Sequence, residues 1–99
     1  MNLLFKALSH PVRRRIIAML RVGPLTSGDI AARFDMAWPT VTGHLNLLKD
    51  AGLVEAERSG TSMRYRVNIS AIEEALAFLM DMTVKRAVEV EDQDPREEH

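Results

Sequence analysis

Residues 36–67 read MAWPTVTGHLNLLKDAGLVEAERSGTSMRYRV, and the apolar period changes partway along them. Before Ala51 it is helical. Val41, Leu45 and Leu48 stand at i, i+4 and i+7, one face of a 3.6-residue repeat. Pro39 suits the first turn of such a helix, where a missing N–H costs nothing. Gly52 suits the left-handed position just past its end. Thr40, Thr42, Gly43 and Asn46 fall largely on the polar remainder of the helix. From Val54 the period is two: Val54, Ala56 and Arg58 alternate with Glu55 and Glu57. After Ser59-Gly60-Thr61-Ser62, Met63, Tyr65 and Val67 alternate with Arg64 and Arg66. That pattern is a β-hairpin with a polar tip.

Upstream, Asn2 to Leu8 reads as a short helix whose Leu3, Leu4, Phe5 and Leu8 cover more than one face. Ser9-His10-Pro11 breaks it, and Pro11 opens a second helix to about Val22. Val12, Ile16, Met19 and Leu20 form the apolar stripe of that helix, with Arg13, Arg14 and Arg15 read as the start of a solvated face. Gly23-Pro24 stops it. Thr26-x-x-Asp29 has the form of a capping box, with Asp in place of the usual Glu, and opens a short third helix with Ile30 and Phe34 facing inward. Asp35-Met36-Ala37 is then a tight connection to the helix read first. Downstream, Ser70-x-x-Glu73 reads as a second capping box, opening a last helix of about 18 residues to roughly Val88. Its Ile72, Ala75, Leu76, Leu79, Met80, Met82 and Ala87 spread beyond a single stripe. We therefore expect a mainly α fold with a small β-hairpin, in the order ααααββα, which is that of a winged helix-turn-helix. Residues 1–88 would form one domain, and the acidic stretch 89–99, which contains Pro95, a disordered tail.

The 99 residues suit one domain. They include no cysteine, so a disulfide scaffold, thiolate ligation and thiol redox sensing are excluded. No apolar run approaches the roughly 20 residues that span a bilayer, and the N-terminus lacks a signal-peptide core. A soluble, cytoplasmic chain without membrane insertion is expected. A net charge of −1 conceals an asymmetry: residues 1–70 carry ten Lys and Arg against five acids, residues 71–99 three against nine. A basic body with an acidic end suits binding of a polyanion.

Three blocks, ALSHPVRRRII (7–17), MAWPTVTGHLNLLKDAGLV (36–54) and ERSGTSMRYRVN (57–68), resemble the ArsR/SmtB family of bacterial transcriptional repressors. The likeness is greatest to the small SdpR-like branch and covers Phe5 to about Leu79. It implies a symmetric homodimer, joined through first and last helices, that binds a palindromic operator in double-stranded DNA. The helix starting near Trp38 would lie in the major groove. Trp38, Thr40, Thr42, Gly43 and Asn46 are its candidate contacts: Thr hydroxyls for phosphate or base, the Asn amide for adenine, and Gly43 for close approach. Arg58, Arg64 and Arg66 on the hairpin would reach phosphate or the minor groove.

Each candidate has a plainer reading. Trp38 can pack against its own domain. Arg64 and Arg66 can pair with Glu55 and Glu57 across the hairpin. His44, beside Leu45 at the edge of the buried face, reads as a hydrogen-bonded structural histidine before a base reader, and is kept among the DNA candidates. The dimer candidates are Leu4, Leu8, Leu76, Leu79 and Met80, which a lone chain would leave exposed. Two positions depart from the family pattern: His10 stands where an Asp often caps the second helix, and Ala37 where a Ser often caps the recognition helix. Losing such a cap costs about 1 kcal/mol, and Asp35 is the available substitute for Ala37.

Many relatives in this family sense metals. The thiolate site at the third helix would fall on Thr26 and Gly28, which bind no soft metal. The last helix, Ile72 to Val88, holds no histidine and offers only Glu73, Glu74 and Asp81. His10 and His44 stand apart, and His99 lies in the tail. No metal or cofactor is expected. Nor is enzymatic activity: there is no phosphate-binding glycine loop, no HExxH and no G-x-S-x-G, and Ser27 or Ser70 with His44 lacks an orienting acid. The alternative to a DNA-binding repressor is a winged-helix interaction module that has lost DNA binding. An unidentified protein or organic effector stays open.

Overall fold

The computed structural model describes the backbone of residues 2–92 and the side chains of residues 2–83. The elements are α1 (Asn2–Leu8), α2 (Pro11–Val22), β1 (Leu25–Thr26), α3 (Ser27–Ala31), α4 (Trp38–Asp50), β2 (Val54–Ser59), β3 (Ser62–Val67) and α5 (Ile69–Asp92). All the expected helices and the hairpin are present. One element is additional. The two-residue β1 pairs antiparallel with β3, Leu25 opposite Tyr65, giving a three-stranded sheet in the order β1-β3-β2. Two residues are too few to show a period, so this strand was not visible as one.

The core gathers the predicted stripes. Ile16 and Leu20 of α2, Ile30 of α3, and Val41, Leu45 and Leu48 of α4 meet Leu53, Val54 and Tyr65, all buried. α4 packs against α1, α2, α3 and β2, so its apolar face is fully used. Its end is a Schellman motif: Leu53 N–H donates to Leu48 O at 3.0 Å and Gly52 N–H to Lys49 O at 2.9 Å, with Gly52 at φ 77°. At the hairpin tip Gly60 has φ 64°, and among the described residues no non-glycine residue has positive φ. With Ser59 opposite Ser62, that is the φ pattern of a two-residue type II′ turn.

Several local expectations need correction. His10 does cap α2, because its Nδ1 accepts from Val12 N–H at 3.1 Å; an imidazole nitrogen replaces the carboxylate oxygen. The Thr26–Asp29 capping box forms on both sides, but α3 ends at Ala31, and Phe34 packs against the core from the connection that follows. Ala37 makes no side-chain cap bond. The last helix is capped two residues earlier than Ser70 suggests: Asn68 Oδ1 accepts from Ala71 N–H at 3.2 Å. α5 continues to Asp92, past the expected end at Val88. The side chain of Ala87, and the tail reading for residues 93–99 with His99, lie outside the described residues.

Arg13 is the largest departure. Expected on a solvated face with Arg14 and Arg15, it is 9% exposed. It stands with Ile16, Ile17 and Leu20 at i, i+3, i+4 and i+7, on the buried side of α2. Arg14 instead donates to Leu8 O at 2.7 Å from an exposed position, and the Arg15 guanidinium lies 5.1 Å from the Phe34 ring centroid, a cation–π contact.

Candidate nucleic-acid interface and pairing face

Burying Val41, Leu45 and Leu48 turns the opposite side of α4 outward. Trp38, Thr40, Gly43 and Asn46 are exposed there, with Thr42 half-buried. Trp38 is 54% exposed, yet its ring edge rests on α3: a Cβ at Gly28 would stand 3.4 Å from Trp38 Cη2. The two readings of this residue therefore combine, one side of the indole seated on α3 and the other free. Gly43 has open space where a Cβ would project, so nothing within this chain requires a glycine there. The start of α4 has no side-chain cap at Ala37; the Thr40 and Val41 N–H groups donate instead to Ala37 O at 3.0 and 3.2 Å.

His44 faces inward from this surface. It is half-buried, its Nδ1 lies 3.0 Å from an Arg13 Nη1, and its ring centroid is 4.5 Å from that of His10. Burial, then the His10 and Arg13 charges, lower its pKa from the ordinary 6.5. The structural reading of His44 is the one its hydrogen bond supports.

The hairpin separates its arginines. Arg66 Nη2 lies 2.7 Å from Glu55 and Nη1 3.8 Å from Glu57, the cross-strand pairing weighed above. Arg58 and Arg64 are exposed, and among the described residues neither has a carboxylate within ion-pair distance. The free cations of the wing are thus Arg58 and Arg64, with Arg66 held by two acids.

A second surface is apolar. Leu76, Leu79 and Met80 are 58, 45 and 54% exposed, as expected for a pairing face. Leu4 is not part of it: it is buried within its own chain, and Leu8 is half-buried. Leu3, Phe5, Ile69, Phe78 and Met82, which were not among the dimer candidates, are exposed as well. Leu3 and Phe5 were legible as the side of α1 that Leu4 and Ala7 do not bury. Among the described residues no three His, Cys, Asp or Glu side chains come together as a metal cluster. None of the helices is long and apolar enough to cross a membrane among those residues.

A helix-turn-helix whose second helix presents a polar face beside an arginine-bearing hairpin defines a winged helix-turn-helix of the DNA-binding type. A helix-turn-helix domain family matches residues 8–57. The chain is 35% identical over 85 residues to the transcriptional repressor SdpR of Bacillus subtilis, covering 86% of this chain and 94% of that protein. An ArsR-like transcriptional regulator from Rhodococcus sp. RHA1 superposes with a TM-score of 0.83 at 25% identity, over 90% of this chain and 82% of that one. The homodimeric winged helix-turn-helix DNA-binding domain of a candidate ArsR-family regulator from Mycobacterium bovis gives 0.68 at 30% identity, over 89 and 81%. The chain belongs to the ArsR/SmtB family of winged helix-turn-helix transcriptional regulators.

Proposed function

We propose that this protein is a homodimeric repressor that acts in the cytoplasm on double-stranded DNA. The observation that carries the reading is the outward polar face of α4, with Trp38, Thr40, Gly43 and Asn46 exposed beside the unpaired Arg58 and Arg64. In the major groove, Thr40, Thr42 and Asn46 would read base edges, while Trp38 would offer its free indole side to a thymine methyl or the sugar edge. Arg58 and Arg64 would neutralise phosphates at the flank. The apolar face of α1 and α5 would join two copies about a two-fold axis, setting the recognition helices about 34–36 Å apart, one DNA turn. No enzymatic step is assigned to it, and Thr26 and Gly28 offer no thiol for a soft metal. Release from DNA would come from a protein or organic effector, or from no inducer.

A mobility-shift assay on the promoter regions adjoining its own gene tests this reading. Saturable binding to a palindromic fragment that outcompetes unrelated DNA is expected. A stable dimer that shifts no such fragment would instead favour a protein-interaction module.

A further inference from the structure

Arg13 uses all three guanidinium nitrogens. Nε donates to Ala7 O and Nη2 to Lys6 O, both at 2.8 Å, and Nη1 reaches His44 Nδ1 at 3.0 Å. The first two oxygens are carbonyls of the last turn of α1, where a cation is favoured by the helix dipole; that of Lys6 also accepts from Ser9 N–H and Oγ. The third contact is on the recognition helix, 31 residues away. One buried side chain of α2 thus ties α1, whose outer side belongs to the apolar pairing face, to α4.

The chemistry of that third bond is constrained. A guanidinium has only donors and keeps its proton throughout the working pH range, so His44 Nδ1 must be the acceptor. His44 is therefore the neutral Nε2–H tautomer. His10 Nδ1 likewise accepts, from Val12 N–H. A proton added to the His44 ring would sit at Nδ1, facing a donor that cannot turn into an acceptor.

We propose that Arg13 is a positioning residue for operator binding, holding α4 in register with α1 through the neutral imidazole of His44, and that uptake of a proton at this seam releases the recognition helix. The proposal rests on the DNA-binding reading above. Among the described residues no carboxylate forms an ion pair with His44 or His10. α1 brings to the seam the carbonyls of Lys6 and Ala7, and the Lys6 side chain is a cation. α2 and its cap bring Arg13 and His10. Arg14 is bonded to Leu8 O and Arg15 lies over Phe34. The carboxylate of α3, Asp29, closes its own capping box, and Glu55 and Glu57 of β2 hold Arg66. Burial and the neighbouring positive charge act in the same direction, against the imidazolium.

The test has two readouts on the intact protein between pH 8 and pH 5.5, with circular dichroism confirming that it stays folded. Imidazole nitrogen NMR without DNA is expected to show His44 protonated at Nε2 and bare at Nδ1. Its titration midpoint should lie below that of an ordinary histidine and rise in Arg13→Gln. Operator affinity of the wild type should fall by roughly twofold to fivefold across the range, since a single group whose midpoint lies below the ordinary histidine value is only partly protonated at the acid end. His44→Asn places an amide oxygen near the Nδ1 position without a titrating group, and His10→Asn supplies an ordinary N-cap. Whatever affinity this double variant has at pH 8, it should change less than twofold by pH 5.5. A proton on His44 Nδ1 at pH 8 would overturn the proposal without reference to DNA. An equally steep pH dependence in the double variant, or none in the wild type, would overturn it as well. A correct tautomer with no operator binding at any pH would instead sink the repressor reading, and the operator role of Arg13 with it.

Discussion

Arg66 and Glu55 stand directly opposite each other across β2 and β3 and join at 2.7 Å, whereas Arg64, two residues earlier on β3 and opposite Glu57, makes no ion pair among the described residues. The two arginines look alike in sequence and are not alike in charge available to a phosphate. Each cation that newly neutralises a phosphate releases counterion and steepens the salt dependence of binding. Arg64→Ala is expected to weaken binding to all DNA sequences and lower the salt slope by about one unit. Arg66→Ala should lower it by less, since Glu55 and Glu57 already oppose that charge. Fluorescence anisotropy at several salt concentrations measures both. Equal slopes for the two variants would remove the distinction.

Gly43 separates folding from binding. Its Cβ position is open within an α-helix, so Gly43→Ala should stabilise the free protein by about 1 kcal/mol per protomer, the usual difference between these residues in a helix interior. The same methyl projects from the face assigned to DNA and should reduce operator affinity. Denaturant melts and a binding titration on one preparation read both signs. Unchanged affinity would mean that this side of α4 does not approach the nucleic acid closely.

Leu4 and Leu79 should fail in different ways. Leu4 is 8% exposed and Leu79 45%. Leu4→Ala opens a cavity in the core and should cost about 2–5 kcal/mol of fold stability. Leu79→Asp puts a charge on the apolar face of α5 and should split the dimer while leaving the monomer folded. Ultracentrifugation at micromolar concentration with circular dichroism distinguishes them. A dimeric, operator-binding Leu79→Asp protein would contradict the pairing face proposed for α1 and α5.

Operator binding should not respond to micromolar zinc, nickel or cadmium, to chelator, or to mild peroxide. A switch needs a ligand that binds its two states unequally, and this chain has no cysteine. The capping oxygen of Thr26 is already bonded to Asp29 N–H at 3.1 Å, and Gly28 has no side chain to offer. Glu73 and Glu74 are exposed, where carboxylates hold hard cations weakly. A tenfold loss of affinity with one of these metals, abolished by changing His10 or His44, would reveal a site at the histidine pair.

What the sequence by itself determined was the buried helix faces, the turns and the hairpin, whose causes are local. The i, i+4, i+7 spacing of Val41, Leu45 and Leu48 marks a buried helix face wherever that helix packs. Gly52 and Gly60 mark backbone turns that side chains rarely allow, and the alternation from Val54 to Val67 sets the hairpin. These are properties of one element and its immediate neighbours, so a period or a single residue type reveals them. Only the tertiary structure decided which groups from distant elements would meet. Arg13 shares the spacing of Ile16, Ile17 and Leu20, but its charge is tolerated inside only because the α1 carbonyls and His44 converge on it. Likewise β1 is a strand only because β3 lies beside it. Leu4 belongs to the core because α1 packs on α4, and Trp38 finds a seat because Gly28 on α3 leaves room for its ring. Periodicity states which side of an element is buried. What stands opposite that side depends on how the elements pack, and in this protein that packing joins α1 to α4 through Arg13.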